Sequence, residues 1–351
     1  MHDLLTGPFG HSFQYVMEDN PFEQRFEHSN LSNGTRSRFL QKTLAAAHFA
    51  GRQFSVRKLL GDTAEEVYAA IRGEGPFGPI ISGTLDLDNL DNVVRLGFHM
   101  GLCDDTDRSV PARLAPLLEP HHGKLGAHAG TRPLMERWFD IRRRSYEFLL
   151  LDRGEFAAKA MLTLAIELAA DAGLLGPDDW RLTDESLLNE LEARSVGEHQ
   201  FIGQIVKRLR IGDLFECVAV WKTDATAHYQ RLSEATAKRE LQQLIEEKAA
   251  LGGRPRLKVC LHYILDRKKT CRSLAYRNLD TGEDETVGYD SNTLLVGAFI
   301  MNARAGGLTT QERHRMSEVI KDALVRAELG NLNPAPEPLA SANDDAGLFR
   351  V

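Results

Sequence analysis

Cysteine is scarce in this sequence. Only Cys103, Cys217, Cys260 and Cys271 occur in 351 residues, and no two are spaced as C-x-x-C. That excludes a zinc knuckle or a disulfide framework and points to free thiols in a reducing compartment. Long apolar runs are also missing: none approaches the roughly 18–20 residues of a membrane span. The N-terminus has no basic segment leading into an apolar stretch, so the expectation is a cytoplasmic protein with no membrane partner. Positive charge is not in excess either. Against 43 Lys and Arg stand 50 Asp and Glu, a net charge of −7. The bulk chain is therefore no polycation, and a nucleic-acid partner, though possible, is not indicated. The glycine-rich GEGPFGP (73–79) lacks the Gly-Lys-Ser/Thr ending and the strand-to-helix setting of a phosphate-binding loop. No internal repeat is found.

What remains is an ordinary globular composition, 42% hydrophobic and 26% charged, long enough for one large or two medium domains. Helical spacing dominates. RFLQKTLAAAHFA (38–50) and TAEEVYAAIR (63–72) have it. So does DLDNLDNVVRLGFHMGL (86–102), which sets Leu87, Leu90, Val94 and Phe98 apart from Asp88, Asp91 and Arg95. Residues 111–130, rich in Pro and Gly, read as a long loop. The stretch 131–250 reads as helical, with Thr183 an N-cap and Gly173 or Gly176 a helix stop. RLKVCLHYIL and NTLLVGAFIM then read as strands, and RSLAYRN and ETVGYD as a hairpin. A last helix starts at a Thr309–Glu312 capping box. The expected domains are 1–130 as a core, 131–254 as a helical body, 255–329 as a small α+β layer and 330–351 as a mobile tail.

Chemistry gathers near the start. HDLLTGPFGHSFQ places the pair His2-Asp3 before a Gly-Pro turn and then His11. FEH adds Glu27 and His28, and SGTLDLDNLDN adds Asp88 at the head of a helix. Imidazole and carboxylate together suit a first-row divalent metal or Mg²⁺. Plainer alternatives are a frayed terminus for His2 and Asp3, a helix N-cap for Asp88 and a hydrogen-bonded core histidine for His11. Asp91 and Arg95 share a face and form a structural pair or orient Asp88. IRRRSYEF (141–148) is a phosphate clamp or a solvated face, and DRKKTCR (266–272) a charged turn.

HDLLTGPFGH resembles the HD-x-x-x-x-P-F-[SG]-H signature of HD-domain phosphohydrolases, and more narrowly that of the deoxynucleoside triphosphate triphosphohydrolases. GTLDLDNLDNVVR resembles their D-x-D-x-x-D segment, and TLLVGAFIMN with the helix after it their C-terminal strand and helix. The resemblance implies a mostly α fold of the HD-domain type with a small C-terminal α+β layer. It implies a divalent metal (Mn, Mg, Fe or Zn) on His2, Asp3 and Asp88, with His11 catalytic and His28 lining the same pocket. Substrate contacts would come from Gln14, Asn89, Asn92, Arg143, Arg144 and Tyr146. The implied reaction is hydrolysis of a deoxynucleoside triphosphate to deoxynucleoside and triphosphate by a homo-oligomer.

Several positions depart from the family pattern. Its first metal-binding histidine, on a helix well before the HD pair, has no counterpart in the given sequence, where Met1 directly precedes His2; either a preceding segment or another chain supplies it, or the ligand has been lost. Gln14 stands where an acidic residue is usual, and Asn89 and Asn92 where a basic and an aromatic residue are usual. Two alternatives follow. One is a catalytically degraded HD protein that binds a nucleotide as regulator or assembly subunit. The other is an HD-type phosphodiesterase.

Overall fold

The computed structural model describes residues 7–10, 12, 13, 16, 47–49, 52–54, 60–71, 73–250, 257–301 and 307–336. They form two compact units. One comprises the chain up to Ser145 with Cys271–Asp290; the other comprises Tyr146–Thr270 with residues 291–336. These units interleave along the chain, whereas the segments expected from sequence are contiguous. No helix among the described residues is long and apolar enough to cross a membrane.

In the first unit, a short antiparallel pair, β1 (Ala47–Phe49) and β2 (Arg52–Phe54), precedes α1 (Ala64–Ile71) and α2 (Gly78–Ile81). Then comes α3 (Leu87–His99), whose buried residues Leu90, Val93, Val94 and Gly97 repeat at helical intervals. Its partner is α5 (Arg132–Leu151), whose residues up to Ser145 belong to this unit. Trp138 of α5 is fully buried and donates its indole N–H to the Leu90 carbonyl at 3.2 Å. The approach is tightest at Gly97. A Cβ there would stand 2.7 Å from Cys103 Sγ and 2.9 Å from Ser145 Oγ, so only glycine fits.

Residues 111–130 are not the long loop expected. They contain α4 (Val110–Leu114) and a hairpin of β3 (Leu118–His121) and β4 (Lys124–Ala127). The two-residue turn His122-Gly123 has φ +47° and +77°, the twist a tight hairpin requires. Pro120 and Gly126, poor strand formers, hide these strands from propensity. β4 pairs in parallel with β7 (Ser273–Asn278), which pairs antiparallel with β8 (Asp284–Gly288), giving the order β3-β4-β7-β8.

The second unit begins with α6 (Arg153–Asp171), α7 (Asp184–Arg194) and α8 (Gln200–Arg210). The expected Thr183 cap is present, its hydroxyl accepting from Ser186 N at 3.2 Å. The chain then forms β5 (Glu216–Thr223), an eight-residue strand in a stretch read as helical. Its buried residues (Cys217, Val218, Val220, Trp221, Thr223) serve both sheet faces, so no clean alternation marks it in the sequence. α9 (Tyr229–Ser233) and α10 (Ala235–Ala250) precede β6 (Val259–Leu265). β9 (Leu294–Ile300) and α11 (Thr310–Leu324) follow, the latter opened by the expected Thr309–Glu312 capping box. Residues 330–336, placed in the tail by composition, instead supply β10 (Asn333–Pro334), which pairs with β5. The rest of that tail lies outside the described residues. The sheet order is β10-β5-β9-β6, antiparallel throughout. One sheet face packs Val218, Leu261, Val296 and Ala298 against Ile245 of α10 and Ile320 of α11.

β6 is an edge strand whose outward N–H groups need acceptors. α10 supplies them from a buried polar stripe at i, i+4, i+8. Gln242 Oε1 accepts from Leu261 N at 2.8 Å, and Glu246 Oε1 from Val259 N at 3.0 Å. Lys238, at the head of the stripe, is paired with Glu167 of α6 at 2.7 Å. Burial pushes the Glu167 carboxyl above its usual range, and Lys238 pulls it back. His262 sits on the opposite face of β6 from the main core, edge-on to Phe156 at 5.7 Å. Burial, helped by Lys238 and Lys159, holds its imidazole down to about 3.

Two outcomes follow. Gln242→Leu strands the Leu261 N–H without an acceptor and should cost about 1–3 kcal/mol in a urea melt. His262 binds its proton more readily unfolded, near 6.5, than folded. Stability should therefore fall as pH drops below about 6.5, by up to about 1.4 kcal/mol per pH unit, and be unaffected by this group above that. Denaturant melts of His262→Gln between pH 6.5 and 4.5 should show a shallower fall than the parent.

Candidate functional site

The described part of the HD signature is its Gly-Pro turn. Gly10 N bonds the Gly7 carbonyl at 3.0 Å, with Phe9 and Gly10 at φ +54° and +55°. Phe13 and Val16, just beyond, are buried. His2, Asp3, His11, Gln14 and His28 lie outside the described residues.

Asp88 is described, and its placement follows from the start of α3. The N-cap is Asp86, not Asp88: Asp86 is extended and buried, and its Oδ1 accepts from Asn89 N at 2.7 Å. The Asn89 side chain adds a second bond, Nδ2 to Asp86 Oδ2 at 2.8 Å. Asp86 is the cap that the sequence reading passes over. An Asp immediately before an apolar-periodic run is itself a helix-start signal that would have found it. With the cap there, Asp88 falls in the first turn, exposed, where a carboxylate is favoured by the helix dipole.

The exposed side of α3 carries a continuous polar chain. Asn92 Nδ2 donates to Asp88 Oδ1 at 2.7 Å, Arg95 Nη2 donates to Asn92 Oδ1, and Arg95 Nε lies 3.3 Å from Asp91 Oδ2. Asp88 Oδ2 has no partner among the described residues. A hard carboxylate oxygen, oriented by a neutral donor and otherwise open, fits one ligand of a divalent cation. Among the described residues no group of three or more His, Cys, Asp or Glu is placed to hold a metal.

The basic segment of α5 is engaged on its own helix. Arg143 Nη2 bonds Asp140 Oδ1 at 2.8 Å. Arg144 Nε lies 3.1 Å from Asp140 Oδ2, and its Nη1 donates to the Leu102 carbonyl. Arg137 holds buried Asp107 with two bonds, at 2.6 and 2.9 Å. Tyr146 opens the second unit. A cavity there, lined by Leu150, Lys222, Asp266, Thr270 and Thr293, has a volume of about 30 Å³. That suits a water molecule, not a nucleotide. The basic stretch 266–272 contains a tight turn, Lys269 N to Asp266 O at 2.9 Å, with Arg267 and Lys268 both at positive φ.

No family model and no curated protein matches the sequence. The fold, however, resembles that of a known enzyme. A phosphohydrolase from Bacteroides thetaiotaomicron superposes with a TM-score of 0.52 over 85% of this chain and 77% of its own, at 16% identity. The likeness bears out the mostly α, HD-type fold with its small C-terminal α+β layer. At that identity the fold is what is shared.

The Asp86 cap is directly testable. Asp86→Ala removes the acceptor for Asn89 N and should lower stability by about 0.5–2 kcal/mol, read as a reduced thermal midpoint.

Proposed function

We propose that the chain is a metal-dependent phosphohydrolase of nucleotides, converting a deoxynucleoside triphosphate to deoxynucleoside and triphosphate. The observation that carries this reading is Asp88: the carboxylate the HD signature calls for stands in the first turn of α3 with one oxygen oriented and one open. The phosphohydrolase likeness of the fold supports the general activity. In this reading His2, Asp3 and Asp88 hold a divalent cation. When bound, such a cation polarises a phosphoryl oxygen and acidifies water.

The chain's own groups do the rest. His11 gives a proton to the leaving oxygen, and His28 lines the pocket beside it. Arg143 and Arg144 are the candidate phosphate contacts, and a phosphate would compete with Asp140 for their guanidinium donors. A cytoplasmic homo-oligomer belongs to the same reading.

A second reading, a nucleotide binder without turnover, is favoured by one observation. Asn89 and Asn92 spend their amides on Asp86 and Asp88, and neither offers a phosphate a charge or a sugar a ring.

The test is metal content and product analysis on the whole chain. About one Mn²⁺ retained per chain, with intact triphosphate released, supports hydrolysis. Nucleoside monophosphate as product would assign a phosphodiesterase, and nucleotide binding without turnover would assign the second reading. Asp88→Ala should abolish metal binding with little change in metal-free stability, because the side chain is exposed. Full metal retention would remove Asp88 from the ligand set.

A further inference from the structure

We infer that the bridge between His128 and Asp280 is a pH-sensitive latch that fastens the turn of the β7–β8 hairpin to the end of β4 and the entry of α5. The backbone ladder at this junction is short. β4 and β7 pair in parallel at Gly126–Arg277 and Ala127–Asn278, and one further bond runs from Leu279 N to the Ala127 carbonyl at 3.0 Å. Side chains finish the junction. Asp280, in the hairpin turn, spans it with both carboxylate oxygens: Oδ1 lies 2.6 Å from His128 Nδ1, and Oδ2 accepts from Ala129 N at 2.8 Å. The turn is built to present this carboxylate. Buried Asn278 accepts from Asp280 N through its Oδ1 at 3.0 Å, and Gly282 at φ +69° lets the chain return. His128 directly precedes the turn Ala129–Thr131 that leads into α5. The latch needs no metal and is independent of the phosphohydrolase reading.

Histidine is what makes the latch switchable. Two further pairs tie β8 to β4 and α5, Lys124–Asp284 at 2.6 Å and Arg132–Glu285 at 3.3 Å, and they keep both charges across the neutral range. Imidazole does not. Protonated, it gives Asp280 a charge-assisted bond. Neutral, it keeps a single N–H, and the bond survives without its charge and in one tautomer only. Among the described residues, the charged groups that act on the ring are both acidic: Asp280 from the hairpin turn and Glu119 from β3. The hydrogen bond and charge of Asp280, with Glu119 adding to them, hold the imidazole above its usual value against the cost of desolvation. The same bond holds the Asp280 carboxyl below its own usual value. The latch is therefore tight from about pH 4 to about pH 6.5 and loosens as pH rises through the His128 value. Leu274, Tyr276 and Val287 bury the rest of the hairpin, so the opening is confined to its turn and to the residues just ahead of α5.

The experiment is an NMR pH titration of the His128 ring in the full chain, with amide hydrogen exchange followed from about pH 5.5 to about pH 8.5 and corrected for the intrinsic rate. The ring should titrate above about 6.5, and in Asp280→Asn it should return to about 6.5. Protection of the Ala129 and Leu279 amides should fall about 1.5- to 5-fold across that range, the size expected of an exposed pair, while amides inside the β7–β8 ladder hold theirs. In Asp280→Asn and in His128→Gln the protection of both amides should be lower and the same at every pH. A parent ring that titrates at or below about 6.5 overturns the latch, as does parental protection of Ala129 and Leu279 that does not change with pH. A fall shared equally by the β7–β8 amides overturns it too, since the whole hairpin would then be loosening. The two readouts on the parent decide the matter even where a variant fails to fold.

Discussion

The start of α3 constrains everything around it. A helix N-terminus leaves backbone N–H groups without partners, and burying one unpaired is costly. Asp86 meets that need from a buried position, accepting both Asn89 N and the Asn89 side chain. The cap fixes where the helix begins, and the spacing of the residues after it sets its two faces. Leu90, Val93, Val94 and Gly97 then face inward, and Asp88, Asn92 and Arg95 face outward.

The inward face explains why this helix is held so firmly. Gly97 admits Cys103 and Ser145 where any side chain would collide, and Trp138 anchors to the Leu90 carbonyl. The pairing of Arg137 with buried Asp107 and of Arg144 with Asp140 spends the charges of α5 on local structure. The arginines proposed to meet phosphate are therefore already held, and substrate would have to outbid Asp140 for them.

The second unit solves a different problem, the free edge of β6. α10 meets it with side chains that stand in for a neighbouring strand: Gln242 and Glu246 accept from alternate backbone N–H groups, and Lys238 closes the stripe on Glu167. At the other end of the sheet β10 pairs with β5 over two residues, Asn333 and Pro334. The two ends of the sheet are covered in part by unlike means, one a helix face and the other the chain's own late return.

Much was legible in the sequence where the cause was local. The Thr183 and Thr309 caps, the helices of 153–171 and 310–324, the strands of 259–265 and 294–300 and the Gly7–Gly10 turn are set by neighbours a few residues apart. Periodicity and capping chemistry report such causes directly. What only the tertiary structure decided depends on partners far along the chain. β5 is a strand because β9 and β10 flank it, and β4 finds β7 in parallel across an entire unit of intervening chain. The polar stripe of α10 looks like solvated helix until β6 is laid beside it. The hydrogen-bonded chain Asp88–Asn92–Arg95 depends on the direction of the Asn92 amide, which only the structure shows. Local sequence determines which elements form, while hydrogen-bond satisfaction between distant elements decides what each of them is for.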